Sequence, residues 1–475
     1  MLLKFPFKPW QPEAVKRMVQ QKRFCVFDTV GIGKTIEAIG AIQLLANAWN
    51  MAGFKAIIIA ESPHVLQWSE ECKKFSYLNV FNVTGGSKER RNRIYLEFFS
   101  QVEPSILVIN YGKLRYDFDV FRQNRINVIV YDEALILSNY NDTRKYACWL
   151  NRGASYVFAL TATPFSRDIM QWYDLFDCIG VTPMSRETFM NSFAEFTLDR
   201  IRTKRGSITK PTFTGAKNLS LMKQYYSNYY IRRSKKDVKK EGDLVSHNVY
   251  YRLFDLSKEQ KALYAKIKDG FIQMYRGRIE NKELEPLSAY TSTLQVLDSA
   301  YLLDERFPRQ SPKIDGLLSV LEEIGNEKVF IYSRFRTFGQ MIDDALKQKG
   351  KSHFIHGELD AKTIEDYKKD FKTGDTQYLV ATDIAQRGLN LQEASTIIFM
   401  DLPATPDAIF QLIGRLDREG QKSPFINVFF MLSNNSVEFN IFNLLKDRQK
   451  IFDNVLDESG SKLFNISKDE FIKLL

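Results

Sequence analysis

Apolar runs of five to eight residues alternate with segments of helical spacing, and the alternation occurs twice along the chain. In the first half the runs cover 24–28, 55–61, 105–110, 128–133 and 156–163. In the second half they cover 328–333, 353–357, 378–383, 396–401 and 425–432. Short β-branched and aromatic runs of this kind predict strands buried on both faces, as in parallel sheets flanked by helices. The expected class is α/β, and two similar series predict two similar lobes rather than one large sheet. Between them, over roughly 181–325, the pattern turns polar, basic and largely helical. Ser257, with Gln260 three residues on, forms a capping-box pattern at the head of a single helix predicted over 257–278. A lobe junction is expected near residue 245, dividing the chain into 1–180, 181–245, 246–325 and 326–475.

Composition narrows the class. The length of 475 residues suits two to four domains. With 44% hydrophobic and 26% charged residues the chain is globular rather than disordered. No run approaches the ~18 apolar residues of a membrane span, and the start, MLLKFPFKPW, lacks the apolar stretch of a signal peptide. No membrane partner and a cytoplasmic location are therefore expected. Cys25, Cys72, Cys148 and Cys178 show no CxxC spacing and read as free thiols in a reducing compartment. His353 and His356 form HxxH on a predicted strand with no third ligand nearby, so structural zinc is not expected. Net charge is +10, and residues 200–240 hold thirteen Lys or Arg against one acid, Asp237. One basic segment on a nearly neutral body predicts a polyanion partner, with a solvated polar loop as the bland alternative. Within it, Tyr225, Tyr226, Tyr229 and Tyr230 have helical spacing. That stripe suits packing of a helix onto its domain better than stacking on bases.

Three constellations carry chemistry. FCVFDTVGIGKTIEAIGAIQLL reads as strand, tight loop and helix. Gly31 and Gly33, with Ile32 between them, bring backbone amides close to phosphate oxygens; Lys34 adds a compact charge, and Thr35 a hydroxyl for Mg²⁺. The first position of the GxxxxGK[ST] pattern is Asp28 rather than glycine. NVIVYDEALIL ends an apolar strand with Asp132 and Glu133, at the edge where parallel sheets bind ligands. Asp132 suits Mg²⁺, and Glu133 suits orientation or deprotonation of an attacking water. QLIGRLDREGQ places Arg415 and Arg418 three apart, on one face if helical. Two planar guanidinium forks suit a phosphate chain. Neither lies in the P-loop lobe, so they would act across a cleft as arginine fingers. A surface helix with salt bridges to Asp417 and Glu419 is the alternative.

DTVGIGKT, YDEAL, LTATP, IRRSKKDV, RGLNLQEA and QLIGRLDREGQ resemble, in order, the motifs of the SNF2 family, superfamily 2 DNA-dependent ATPases and translocases. The resemblance runs from the KPWQPEAV segment to about residue 445. IRRSKKDV and Asp28 separate it from DEAD-box RNA helicases. It implies two RecA-like parallel-sheet lobes with a mainly helical insertion region between them, ATP and Mg²⁺ as ligands, and duplex or branched DNA as partner; protein partners stay open. By the same resemblance Gln11 reads adenine, Lys34, Thr35, Asp132 and Glu133 form the phosphate and metal site, and Thr161 and Thr163 couple nucleotide state to DNA grip. Gly388 and Asn390 match the second-lobe motif near DNA and ATP, and Gln411, Arg415 and Arg418 match the last motif. Ser62, Thr84, Gly85, Gly86, Asn110, Tyr111, Ser333 and Thr382 fall where the family contacts phosphodiester backbone. Lys204, Arg205 and Lys210 are assigned to DNA from the basic segment itself. Two positions depart from the family: Leu135 stands where the DEAH-like box has His, and Asp417 where the last motif often has His. A core this compact resembles phage, viral or bacterial members. The rival readings are a nucleotide-gated DNA clamp with weak turnover and an RNA-directed ATPase.

Overall fold

The computed structural model describes residues 3–442, apart from 30, 49–52, 63, 163, 166–167, 204–205, 239–244, 276–285, 387–388, 390, 404–405 and 419. They form two compact units that divide between residues 243 and 244.

The first unit contains β1 (Arg23–Val26), β2 (Lys55–Ala60), β3 (Asn79–Val83), β4 (Ser105–Asn110), β5 (Val128–Asp132) and β6 (Tyr156–Leu160). β7 (Ala194–Thr203) and β8 (Gly206–Ala216) then form a separate antiparallel hairpin, and β9 (Tyr230–Ile231) returns to the sheet. The described strands of that sheet run parallel in the order β3-β4-β2-β5-β6-β1-β9. β2 (KAIIIA) and β4 (SILVIN) are buried at every position, as a strand covered on both faces requires. One face packs Ile57, Leu107, Ile129 and Tyr131 into one core; the other packs Ile58, Val108, Val130 and Phe158 into a second. β1, β6 and β5 are neighbours, so the loops at their carboxyl ends converge.

The second unit contains β10 (Ser246–Phe254), β11 (Val329–Tyr332), β12 (Ser352–Ile355), β13 (Tyr378–Ala381), β14 (Thr396–Phe399) and β15 (Phe425–Ser433), parallel in the order β10-β15-β14-β11-β13-β12. No helix among the described residues is long and apolar enough to cross a membrane.

Each of the ten apolar runs holds a strand, and most strands stop one to three residues before the run does. The polar ends of the runs, such as Asp28, Glu61, Glu133 and Asp383, turn out of the sheet into carboxyl-end loops. The capping box forms as predicted: Gln260 N donates to Ser257 Oγ at 3.2 Å, and Ser257 N to Gln260 Oε1 at 3.0 Å. It opens the helix Lys258–Tyr275.

The largely helical reading of 181–325 needs correction at the β7–β8 hairpin and at β10. TLDRIRT and SITKPTFT carry β-favouring Thr, Ile and Phe but no alternation, Leu198 and Ile201 being three apart and Ile208 and Phe213 five apart, so hydrophobic periodicity gives no strand signal here. Two thiols also meet: Cys148 Sγ lies 2.9 Å from Cys178 Sγ, both as free cysteines. His353 Nε2 lies 2.6 Å from Asp370 Oδ2, an acid that sequence spacing did not bring near. In the tyrosine stripe Tyr226 is fully buried against Trp172 and Phe176, while Tyr225 is exposed.

Candidate nucleotide site

The loop after β1 feeds the helix Lys34–Ala48. Gly31 and Gly33 hold φ of 88° and 112°, where side chains are strained. Gly33 also lacks room: a Cβ there would lie 2.4 Å from Gln11 Nε2. Gln11 is 1% exposed, accepts from Lys8 N at 2.9 Å and points its amide at Gly33 O, 3.5 Å away. Trp10 Nε1 donates to Ile32 O at 3.2 Å, so the start of the first helix fixes the loop's shape. Lys34 Nζ donates to Asp28 O at 2.7 Å. Burial lowers the Lys34 ammonium from its ordinary value, opposed by the charges of Glu133, Asp28 and Asp132. Thr35 sits in the first turn of the same helix.

Asp28, the residue that breaks the glycine pattern, is fully buried. Its Oδ1 accepts from Arg233 N at 2.7 Å and its Oδ2 from Arg233 Nε at 3.0 Å. Arg233 Nη2 donates to Asp28 as well and to Glu37 Oε1 at 2.6 Å, and Nη1 donates to Trp10 O. One guanidinium fork thus ties the phosphate loop, the helix behind it and the segment after β9. The two features that looked most diagnostic in the sequence, Asp28 and IRRSKKDV, are the two ends of one ion pair. Glu37 is pushed up to about 8, first by burial and then by the charge of Asp28, with Arg233 pulling the other way.

A glutamate raised in the folded state binds more protons folded than unfolded between its ordinary range and about 8. Its contribution is whole below that range, and stability is lost as pH rises through the window. Glu37→Gln should therefore flatten the fall in urea midpoint between about pH 5 and about pH 8. An unchanged slope would count against the buried carboxyl as its source.

At the end of β5, Asp132 Oδ2 accepts from Trp68 Nε1 at 2.8 Å and lies 3.4 Å from His64 Nδ1. Tyr111 donates its hydroxyl to Asp132 O at 2.7 Å. Burial works to raise the Asp132 carboxyl, but His64, Trp68 and the charge of Lys34 outweigh it and hold it below its usual value. Glu133 has φ 47° and ψ 52°, a left-handed backbone at a non-glycine residue that carries strain. This bend swings the chain from the strand into the short helix Ala134–Ser138, which contains Leu135. Thr161 is fully buried at the end of β6, its N donating to Val26 O at 3.1 Å; Thr163 lies outside the described residues. The Thr35 hydroxyl and an ionised Asp132 are hard oxygen donors of the kind Mg²⁺ takes alongside water and phosphate. The residues therefore fit a magnesium nucleotide.

In the second unit, the helix Pro406–Leu416 carries Gln411 and Arg415 and stops before Arg418. The expectation that both arginines share one helix face is corrected: Arg418 N donates to Leu416 O at 2.9 Å, in a turn. Arg415 is 7% exposed. Asp417 Oδ2 lies 3.1 Å from His247 Nε2, so a histidine does reach this motif, from β10. Gly388, Asn390 and Glu419 lie outside the described residues.

The residues assigned to DNA divide. Ser62, Thr84, Gly85 and Gly86 are exposed at carboxyl-end loops of the first unit. Asn110 caps the helix Tyr111–Tyr116 by accepting from Lys113 N at 2.9 Å. Tyr111 and Ser333 face inward, which corrects their reading as direct contacts: Tyr111 is buried, and Ser333 Oγ lies 3.1 Å from Asp401 Oδ2. Thr382 is half-buried. Lys210 lies on β8 opposite Asp199, whereas Lys204 and Arg205 lie outside the described residues. Arg232 and Arg233 turn inward too, so the basic segment offers less surface charge than its sequence suggests. Sequence reasoning missed Glu37, His64, Trp68 and the partner of Asp28. Glu37 had a signal, a lone acid within an apolar helix; His64 and Trp68 had only their i, i+4 spacing.

A family model described as SNF2-related domain matches residues 10–300, and one described as helicase conserved C-terminal domain matches 312–420. The TATA-binding protein-associated factor BTAF1 of Arabidopsis thaliana is 22% identical, over 99% of this chain and 26% of its own length. An uncharacterized ATP-dependent helicase of Bacillus subtilis, YqhH, is 22% identical, over 98% of this chain and 82% of its own. Among solved structures, the helicase domain of Pyrococcus furiosus Hef shares the fold with a TM-score of 0.53 at 16% identity, over 92% of this chain and 98% of that one.

Proposed function

The chain belongs to the SNF2 family of superfamily 2 ATPases, and from that premise we propose that it couples ATP hydrolysis to movement along duplex or branched DNA. The observation that carries this reading is the convergence of Lys34, Thr35, Asp132 and Glu133 at neighbouring carboxyl-end loops, with Asp132 held ionised. Lys34 balances phosphate charge. Thr35 and Asp132 hold the metal, which when bound neutralises charge on the phosphate oxygens. Glu133 orients the attacking water and accepts its proton. Gln11 is assigned to adenine, and Gly31, Ile32 and Gly33 present their amides to phosphate. Arg415 and Arg418, with Gln411 and Gly388, are assigned to the charge that develops on the transferred phosphoryl group. Thr161, Thr163 and Asn390 are assigned to coupling and DNA contact.

DNA is favoured as partner by the basic β7–β8 hairpin and by the family. The deciding experiment measures phosphate release by the full chain with single-stranded, duplex, forked and four-way DNA and with duplex RNA. Stimulation by duplex or branched DNA is expected. Stimulation by RNA alone would move the reading to an RNA-directed ATPase, and DNA binding without turnover would move it to a clamp. Replacing Lys204, Arg205 and Lys210 with Ala should weaken DNA binding without sequence preference. It should also make the salt slope shallower by roughly 0.9 for each phosphate that is no longer neutralised; an unchanged slope would make the hairpin a solvated bystander.

A further inference from the structure

Asp132 is held from two sides by segments that the functional reading assigns to DNA. On one side the helix His64–Phe75 begins two residues after Ser62. From its first two turns, Trp68 Nε1 donates to Asp132 Oδ2 at 2.8 Å, and His64 Nδ1 lies 3.4 Å from the same oxygen. On the other side Tyr111 directly follows Asn110, and its hydroxyl donates to Asp132 O at 2.7 Å. His64, Trp68 and Tyr111 are 7%, 3% and 7% exposed. These bonds therefore run through a poorly solvated interior, where a hydrogen bond is stronger than in water. Leu135, by contrast, offers no polar side-chain atom at the fourth position of the box.

We propose that His64, Trp68 and Tyr111 are positioning residues that couple the phosphate-side carboxylates to the DNA-side loops at Ser62 and Asn110, within the first unit. Any displacement of Asp132 pulls on the amino-terminal end of one helix through two side chains, and on the start of another through a third. Each helix carries its loop with it, because a packed helix moves as a body. Linkage is reciprocal: if nucleotide at Asp132 changes DNA affinity, DNA changes nucleotide affinity by the same factor. A purely structural role differs in one respect. It lowers affinity in every nucleotide state alike and leaves the ratio between states untouched.

The inference rests on the translocase reading, and one experiment separates their failures. Trp68→Phe and Tyr111→Phe keep the aromatic ring and remove the donor. Duplex DNA affinity of the full chain is measured by fluorescence anisotropy without nucleotide and with a non-hydrolysable ATP analogue plus Mg²⁺. Wild type should show two different dissociation constants, and in each variant their ratio should move toward one by about fivefold or more. The variants sit on opposite sides of Asp132, so either suffices if the other melts early, and His64→Asn supplies a third. Variants that keep the wild-type ratio overturn the inference and leave the translocase reading standing. So does a wild-type ratio of one. A wild type that binds no duplex in either state removes the translocase reading, and the inference with it.

Discussion

Lys34→Ala should abolish ATP hydrolysis and weaken ATP binding, whereas Glu133→Gln should leave ATP bound and unhydrolysed. The lysine is the compact cation of the phosphate loop, its Nζ held 2.7 Å from the Asp28 carbonyl within the turn. A unit charge about 4 Å from phosphate at an effective dielectric constant of ~20 is worth about 4 kcal/mol, or roughly a thousandfold in affinity. Alanine removes that attraction and leaves the charges of Asp132 and Glu133, which act on Lys34 in the wild type, with less opposing charge as the triphosphate arrives. Glu133→Gln preserves shape and the left-handed bend but removes the group proposed to accept the water's proton. Turnover should fall by roughly 10²- to 10⁴-fold, with nucleotide affinity close to wild type. Calorimetric binding of a non-hydrolysable analogue and single-turnover phosphate release separate the two effects. Equal ATP affinity in wild type and Lys34→Ala would sink the phosphate-site assignment.

The fold was legible where burial is uniform. β2 and β4 are apolar at every position but their ends and buried on both faces, so length and composition alone located them. Strands that depend on tertiary context were not legible. β3 (NVFNV) is a half-polar edge, β9 is two residues long, and β10 follows a strongly basic stretch. The hairpin was hidden because its few apolar residues stand isolated among hydroxyl and charged ones without a period of two, so hydropathy averages to polar.

The site was legible where chemistry demands a residue type at a fixed offset. Lys34 and Thr35 open the helix that follows β1, and Asp132 and Glu133 stand at the end of β5, on the edge where the sheet order brings those loops together. What the sequence could not supply was partner choice over long separations. Arg233 is 205 residues from Asp28, and Tyr111 is 21 from Asp132. Motif matching also could not tell a polar residue facing DNA from one facing inward. Ser333 and Tyr111 were expected at DNA from the resemblance, yet their side chains bond inward, to Asp401 and to the Asp132 carbonyl.

Arg233→Ala should destabilise the first unit by about 3–5 kcal/mol, the usual cost of removing one partner of a buried ion pair. Its guanidinium serves two carboxylates, Asp28 and Glu37, both fully buried. Arg233 also pulls Glu37 down from a still higher value, and without it Glu37 can escape charge only by binding a proton, so the penalty should be larger at about pH 8 than at about pH 5. The same loss should lower ATP affinity, because Asp28 begins the loop and its carbonyl holds Lys34. Arg232→Ala is the control from the same motif. Arg232 donates to the carbonyls of Phe27 and Ala162, at 3.2 and 3.3 Å, and hydrogen bonds that involve one charged group predict a cost of about 1.5–3 kcal/mol, below that of opening the Asp28–Arg233–Glu37 network. Arg233→Lys should not rescue, since one ammonium cannot reproduce a planar fork between two acids. Adding Asp28→Asn to Arg233→Ala should recover part of the loss, giving a non-additive double-mutant cycle. Urea midpoints for the four proteins of that cycle, measured at both pH values, decide the matter. If Arg232→Ala and Arg233→Ala unfold alike, or if the Arg233 penalty is flat with pH, the arginine is a packing residue and not the counter-charge that lets an aspartate stand in place of glycine at the head of the phosphate loop.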